Sequence, residues 1–283
     1  MTSEPAPAEA APYPPENHLL RDLRFRFEHN GDGRRSRAWM PVVPEVCTDQ
    51  GYARAGVLAT LVDVIGGGLA AGAAAPGWIA TADLTLRLMR GAAPGAVVEA
   101  RGQVLRSGRT TVVMEVVLVD QRERRLGDAS MSFSVLLRRD ANPDISAVRG
   151  AGQSTMATDG AGMRQPLRDA MGIVVRDASA GALDVPITDW TRNSMGAMQG
   201  GVVATIADFA AETALRAATT EPLVVADMQL TYLGFGRSGP VQSRVEVLGT
   251  EDGRGVARIQ LDDAGADHRR MTLASAVAVR DLS

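Results

Sequence analysis

Residues 193–210 read NSMGAMQGGVVATIADFA, a polar turn with glycines that runs into an apolar segment containing one carboxylate, Asp208. Apolar residues on nearly every side predict a buried helix. The start of such a helix has unpaired N–H groups and the positive end of the helix dipole, and Gly200 and Gly201 would let a ligand approach that backbone closely. A plain turn that uses Gly and Asn for their conformation is the alternative.

The same pattern occurs earlier in the chain. Residues 56–63, GVLATLVD, match residues 201–208, GVVATIAD, with Gly, Val, Ala, Thr and Asp at identical offsets. Downstream, residues 81–89 (TADLTLRLM) correspond to residues 226–233 (ADMQLTYL). The correspondence continues through the later apolar runs, so the sequence predicts a tandem repeat of two whole units.

Composition divides the chain into two domains and two irregular segments. Residues 1–19 contain acids and five prolines, which predict a disordered leader and not a signal peptide. Residues 140–165 are rich in Gly, Ala, Ser, Asp and Pro without periodicity, which predicts a linker. The predicted domains are residues 20–139 and 166–283.

Each domain is expected to contain one long helix followed by several strands. In the first, apolar residues recur at helical spacing from Leu58 to Leu69, whereas residues 83–88 alternate between polar and apolar. The pattern predicts an α+β fold in which a long central helix is wrapped by an antiparallel sheet. Residues 56–75 are long enough to span a membrane, but Asp63 and the many small residues favour a buried helix in a soluble domain.

Charge and cysteine content exclude several classes of function. The net charge is -3 and the arginines are scattered, so nucleic-acid binding is not expected. Cys47 is the only cysteine, which rules out an intrachain disulfide and predicts a reducing, cytoplasmic location; we interpret it as a small buried residue. His18, His29 and His268 lack metal-ligand spacing and are expected on the surface, so no metal site is predicted.

Two aspartates stand out because each lies within an apolar helix. Asp63 and Asp208 occupy the same position in the two copies. A buried carboxylate without partners costs several kcal/mol, so each needs hydrogen bonds, a raised pKa or a function. The alternative is that each aspartate faces the rim of its helix and bonds to backbone or water.

Together these features resemble the hotdog-fold thioesterases of the phenylacetic-acid-degradation (PaaI) type, and specifically a tandem, double-hotdog member. That family has Asn-x-x-Gly-x-x-His-Gly-Gly before the hotdog helix and an Asp within it. The second copy matches this pattern at Asn193, Gly196, Gln199, Gly200, Gly201, Ile206 and Asp208, with Gln199 in place of His. The first copy keeps Gly51, Gly56, Leu61 and Asp63 but has Thr48, Arg54 and Ala55 at three other pattern positions.

The resemblance implies a double hotdog whose two sheets form one continuous surface, with each active site shared between the units. One composite site would combine Asn193, Gln199 and Gly200 with Asp63 and Thr81. The other would combine Asp208 and Ala226 with the altered positions Thr48, Arg54 and Ala55, so that several of its roles are missing.

The implied reaction is hydrolysis of an acyl-CoA or related thioester at the first composite site, with coenzyme A as part of the substrate and no separate cofactor. The Gly200 N–H would polarise the thioester carbonyl, and Asp63 would act as nucleophile or as base for water, with Asn193, Gln199 and Thr81 orienting the reactants. The alternatives are a hotdog that binds acyl-CoA or a small ligand without hydrolysis, which the missing His favours, and a purely structural double hotdog. No membrane partner is expected, and exposed sheet edges predict a homodimer.

Overall fold

Two long helices lie against a broad antiparallel sheet. The computed structural model of the protein describes residues 13–137 and 151–283. The helices are α1 (Leu19–Asp22), α2 (Ala55–Ala74), α3 (Leu167–Ala170) and α4 (Gly200–Ala218). The predicted apolar stripe of the first long helix is buried, since Leu58, Leu61 and Val62 are fully inaccessible to solvent.

The strands fall into two equivalent sets. The first set is β1 (Arg26–His29), β2 (Arg35–Pro41), β3 (Trp78–Leu88), β4 (Val97–Ser107), β5 (Thr111–Asp120) and β6 (Arg125–Leu136). A short strand follows, β7 (Gly152–Thr155). The second set is β8 (Val174–Asp177), β9 (Ala182–Val185), β10 (Val224–Tyr232), β11 (Val241–Glu251), β12 (Arg254–Asp263) and β13 (Arg269–Val279).

Both sets have the same topology. Across the described residues the sheet runs in the order β7-β1-β2-β4-β5-β6-β3-β10-β13-β12-β11-β9-β8. The two halves meet where β3 pairs with β10, with Leu84 opposite Leu230. The first-half order β1-β2-β4-β5-β6-β3 is repeated by β8-β9-β11-β12-β13-β10, so the prediction of an α+β double hotdog with one continuous sheet is confirmed.

The two long helices cross at glycines near their N-termini. A Cβ on Gly56 would lie 2.4 Å from the Cα atom of Thr205, and a Cβ on Gly201 would lie 2.3 Å from the Cα atom of Thr60. The hydroxyls of Thr60 and Thr205 meet at 3.4 Å between these contacts. The sequence predicts that Gly200 and Gly201 let a ligand approach α4, but in the structure Gly201 allows the close approach of α2.

The composition of α2 suits a membrane span, but its position in the fold does not. Helix α2 is long and apolar enough to cross a membrane, yet 67% of its most apolar window is buried inside the protein. Its apolar surface is covered by β2 to β6 and by α4. The interpretation as a buried core helix therefore accounts for its composition.

Two predictions about irregular segments need correction. Of the predicted leader, residues 1–12 lie outside the described residues, but His18 is 1% exposed and caps α1, so it is not a surface residue of a disordered segment. Within the predicted linker, residues 140–150 lie outside the described residues, whereas residues 152–155 form β7 and pair with β1. A short polar strand at a sheet edge has no periodicity long enough to be recognised from sequence.

The helix crossing predicts a contrast between glycines. Gly56→Ala should destabilise the protein by roughly 1–3 kcal/mol or more, because the new Cβ would overlap backbone that cannot move independently. Gly72→Ala, also within α2, meets nothing within 4 Å and should stabilise by up to about 1 kcal/mol through helix propensity. Urea unfolding of both variants measures the difference, and equal effects would refute the crossing geometry.

Candidate active site

Asp63 lies in the middle of α2 and its carboxylate reaches the start of α4. The residue is 6% exposed. Its Oδ2 accepts hydrogen bonds from the Gln199 side-chain amide at 2.8 Å and from the Gly201 N–H at 3.1 Å. The carboxylate of the first half is therefore held by a side chain and a backbone amide of the second half.

The first residues of α4 are shaped around this carboxylate. A Cβ on Gly200 would lie 2.8 Å from Oδ2 of Asp63, so a side chain there would push against the carboxylate in its present position. Gln199 caps the helix, since its side-chain oxygen accepts from the Val202 N–H at 3.0 Å while its nitrogen donates to Asp63. Within the described residues, the Gly200 N–H has no hydrogen-bond acceptor, which leaves one donor at the positive end of the helix.

Thr81 provides the third contact to the carboxylate. Its hydroxyl donates to Oδ1 of Asp63 at 2.8 Å. On a regular strand Thr81 would share the outer face with Asp83, which is exposed, but the pairing of β3 with β6 shifts register between these two residues. This β-bulge turns Thr81 toward the helix.

Asn193 organises the loop and does not contact Asp63. Its side-chain oxygen accepts from the N–H groups of Met195 and Ala197 at 2.9 and 3.1 Å. The loop forms a narrow hairpin, in which the Gln199 N–H donates to the carbonyl of Thr191. Asn193 thus fixes the turn that presents Gln199.

Burial dominates the acid–base behaviour of Asp63. It raises the pKa of Asp63 from 3.8 to about 6, although the hydrogen bonds from Thr81 and Gly201 oppose the shift. The carboxyl is therefore mainly ionised above pH 6. Folding favours the protonated form of Asp63, so this group stabilises the folded protein fully below pH 4. As the pH rises through 6 the carboxyl ionises, and the free energy of unfolding falls by about 3 kcal/mol.

Tyr232 is a site residue that the sequence analysis missed. Its hydroxyl donates to the Gly200 carbonyl at 2.9 Å. Burial and, secondarily, the charge of Asp63 raise the pKa of this phenol. In the sequence, Tyr232 ends a strand whose counterpart in the first half ends with Leu88. This difference alone does not indicate a site.

Asp208 occupies the equivalent position in the second half, and its surroundings share part of this arrangement. Its Oδ2 accepts from the Gly56 N–H at 3.1 Å, matching the bond between Asp63 and Gly201. Arg54 stands where Gln199 stands in the first site and lies 4.0 Å from Asp208. Ala226 replaces Thr81 and has no hydroxyl to donate to the carboxylate.

An ion pair fills the space beside Asp208. The Arg54 guanidinium bonds to Glu212 and stacks 3.8 Å above the ring of Phe209. Burial raises the pKa of Asp208 to about 6, while the positive charge of Arg54 opposes the shift. Ala55, at the position of Gly200, is 2% exposed. This second site is therefore occupied by its own side chains.

The corresponding space beside Asp63 is open. Gly67 and Val64 stand where Glu212 and Phe209 stand in the second half. A Cβ on Gly67 would meet nothing within 4 Å. Residues four apart share a helix face, so this space adjoins Asp63. Side chains therefore fill the space beside Asp208, as expected for a purely structural protein. Beside Asp63, the equivalent side chains are replaced by Gly67 and Val64.

Two surface cavities lie elsewhere. One of about 350 Å³ is lined by Asp49, Gln50 and Arg216, and one of about 390 Å³ lies between the β1–β2 turn and the second half of α2. Neither is lined by Asp63 or Asp208. The second cavity is lined by Gly68, the residue that follows Gly67.

The remaining reactive residues show no alternative chemistry. Within residues 13–137 and 151–283 there is no cluster of three His, Cys, Asp or Glu side chains that could hold a metal. Burial raises the pKa of the Cys47 thiol to about 11, so it is a poor nucleophile at neutral pH. Cys47 is half-buried and its thiol donates to the Val43 carbonyl.

Comparisons with known proteins agree with this fold. The family model of the thioesterase superfamily matches residues 50–127, which include α2 and the strands β3 to β5. A comparison with curated proteins gave no match. Within the family match lie Asp63 and Thr81, whereas the loop that carries Gln199 lies outside it.

Solved structures resemble the chain over most of its length. An acyl-ACP thioesterase from Bacteroides thetaiotaomicron is 10% identical with a TM-score of 0.56, covering 88% of this chain and 100% of its own. A proposed thioesterase from Novosphingobium aromaticivorans is 17% identical with a TM-score of 0.61, covering 89% and 97%. A 12:0-ACP thioesterase from Umbellularia californica is 10% identical with a TM-score of 0.56, covering 86% and 93%. At these identities the likeness establishes the shared fold.

Proposed function

We propose that the protein hydrolyses an acyl-CoA or related thioester at the site formed by Asp63, Thr81, Gln199 and Gly200. The observation that carries the proposal is the difference between two equivalent positions. Asp63 lies beside a helix start with a free N–H and beside Gly67, where a Cβ would meet nothing within 4 Å, whereas Asp208 lies beside a buried ion pair. A carboxylate kept buried at a stability cost, with room for a ligand beside it, is typical of a reactive group.

The Gly200 N–H supplies the electrostatic part of the reaction. A thioester carbonyl placed against the start of α4 would receive this donor and the positive end of the helix dipole as its oxygen becomes negative. Gln199 is neutral, so no imidazole takes part. Loss of a donor of this kind costs roughly 100- to 1000-fold in turnover.

Asp63 supplies the attacking group by one of two routes. As a base, it takes a proton from water, the hydroxide attacks the carbonyl carbon, and the C–S bond breaks as the proton passes to the leaving thiolate. As a nucleophile, its oxygen displaces the thiolate to form an acyl anhydride, which water then hydrolyses. Both routes need the ionised carboxylate, so activity rises with pH through about 6.

The second candidate function is binding of an acyl-CoA or small ligand without hydrolysis. One observation favours it: Gln199 replaces the histidine of the family that the chain resembles, so no imidazole lies beside Asp63. The two functions share the same pocket and differ in whether the thiol is released.

The fold relatives and the resemblance to PaaI-type tandem hotdogs support the proposed substrate class. Two of the structural relatives are named as thioesterases of acyl-ACP. We therefore propose a thioester of coenzyme A or of a carrier protein, turned over without a separate cofactor. A lone unpaired cysteine fits action in the cytoplasm.

The asymmetry of the two sites predicts the effect of two matched substitutions. Asp63→Asn should abolish thiol release from acyl-CoA substrates, because Asn has no anionic oxygen, whereas Asp208→Asn should keep most of it. Release is followed with a thiol-reactive dye across acyl groups of different length. Equal loss in both variants would exclude the asymmetric site, and ligand binding without thiol release by the wild type would favour the second candidate function.

We also propose that two chains associate. The edge strands β7 and β8 present unpaired backbone groups, which favours pairing with a second copy. Light scattering should give about twice the chain mass of 29.8 kDa. A clean monomer mass would refute the dimer without affecting the proposed chemistry.

A further inference from the structure

We infer that His18 is a positioning residue for the thioester site, acting through a strap formed by residues 13–22 that holds the loop carrying Gln199. The inference rests on the proposed function. The strap belongs to the first half of the chain, and the residues that it holds, 190–192, belong to the second.

The strap is joined to that loop by several hydrogen bonds. His18 lies 2.7 Å from the Arg192 carbonyl through its Nε2, and the Tyr13 hydroxyl donates to the same oxygen at 3.3 Å. The Leu19 N–H donates to the Trp190 carbonyl at 3.0 Å. The Trp190 indole donates back to Asp22 at 2.8 Å. The loop is therefore held at the carbonyls of Trp190 and Arg192 and at the Trp190 side chain.

The tautomer of His18 follows from its two partners. The Leu20 N–H donates to Nδ1, so the ring proton lies on Nε2 and is donated to Arg192. Burial lowers the pKa of His18, which keeps the ring neutral at physiological pH. The ring thus does two separable things: it caps α1 through Nδ1, and it holds Arg192 through Nε2.

Few bonds separate His18 from Asp63. Arg192 forms a β-bridge with Met198, and the Thr191 carbonyl accepts from the Gln199 N–H at 2.9 Å. Gln199 then donates to Asp63. A displacement of Arg192 would therefore also move Gln199, because the two sides of this short hairpin are hydrogen-bonded to each other.

The equivalent helix of the second half, α3, has no side-chain cap of this kind within the described residues. Helix α3 occupies the position of α1, but its cap is Pro166, which makes no side-chain hydrogen bond. Tyr13, whose ring packs edge-on against His18 at 5.2 Å, is near enough to Asp63 for that charge to help raise the pKa of its phenol. His18 and Tyr13 thus lie on the side of the molecule that holds Asp63 and Gln199.

The two bonds of His18 can be separated by substitution. Asn is among the best helix caps, so His18→Asn keeps an acceptor for the Leu20 N–H, but its amide is too short to reach Arg192. His18→Gln has a longer amide that restores a donor toward Arg192. Pro166→Ala, at the cap of α3, is the control, with kcat expected to stay at the wild-type value.

The expected result for His18→Asn is a drop in kcat of roughly 10- to 100-fold, the size that misplacement of a reacting group produces, with KM within about twofold and an unchanged Tm. His18→Gln should recover much of the loss. Hydrogen exchange at the Ala197 and Gln199 amides should be faster in His18→Asn than in the wild type or in His18→Gln.

Two results would overturn the inference. Wild-type kcat in His18→Asn would show that the bond to Arg192 is not needed, and equal losses in both variants with a lowered Tm would show a role in stability alone. A wild-type protein that releases no thiol would overturn the proposed function instead. The exchange rates at Ala197 and Gln199 would then still decide whether His18 positions the loop.

Discussion

The structure depends on the close crossing of two helices near their N-termini. Gly56 and Gly201 let each helix contact the backbone of the other at a threonine. This crossing places each buried aspartate beneath the first turn of the opposite helix, where the backbone N–H of Gly201 or Gly56 meets its carboxylate. A wider crossing would leave both carboxylates buried without these donors, which costs several kcal/mol each.

One geometry thus creates two equivalent sites, and the side chains around them determine their different chemistry. At Asp63 the partners are neutral donors, so the carboxylate keeps its charge above pH 6. At Asp208 a guanidinium pairs with Glu212 and fills the space beside the carboxylate. The arrangement around Asp208 satisfies the buried charges, whereas beside Asp63 the small residue Gly67 stands where Glu212 stands in the second half. The stability lost at Asp63 is the kind of cost that functional sites impose.

The sequence predicted much of the fold because the two copies support each other. Matching Gly, Thr and Asp positions in two apolar segments indicated equivalent buried helices, and the alternation near Leu84 and Leu230 identified the strands that join the halves. The neighbours of Asp63 followed from the family resemblance, and the structure places Gln199 and Thr81 in contact with it.

Other features depend on contacts that are distant in the sequence. The pairing of Arg54 with Glu212 joins the turn before one helix to the face of the other, and neither residue is unusual alone. Tyr232 and His18 each contact a single backbone carbonyl, a type of contact that leaves no periodic pattern. The bulge that turns Thr81 inward depends on the register of two strands, which local sequence does not set.

The central claim is that the Asp63 carboxylate of the first half is held by Gln199 of the second. Carbon-13 NMR titration of aspartate carboxyls, with the Asp63 signal assigned by its loss in Asp63→Asn, tests it without relying on activity. The account predicts a midpoint near 6 in the wild type. In Gln199→Glu the midpoint should be higher, because a second carboxylate would then lie about as close to Asp63 as the amide does now. A midpoint near 3.8, or the same midpoint in both proteins, would contradict the account.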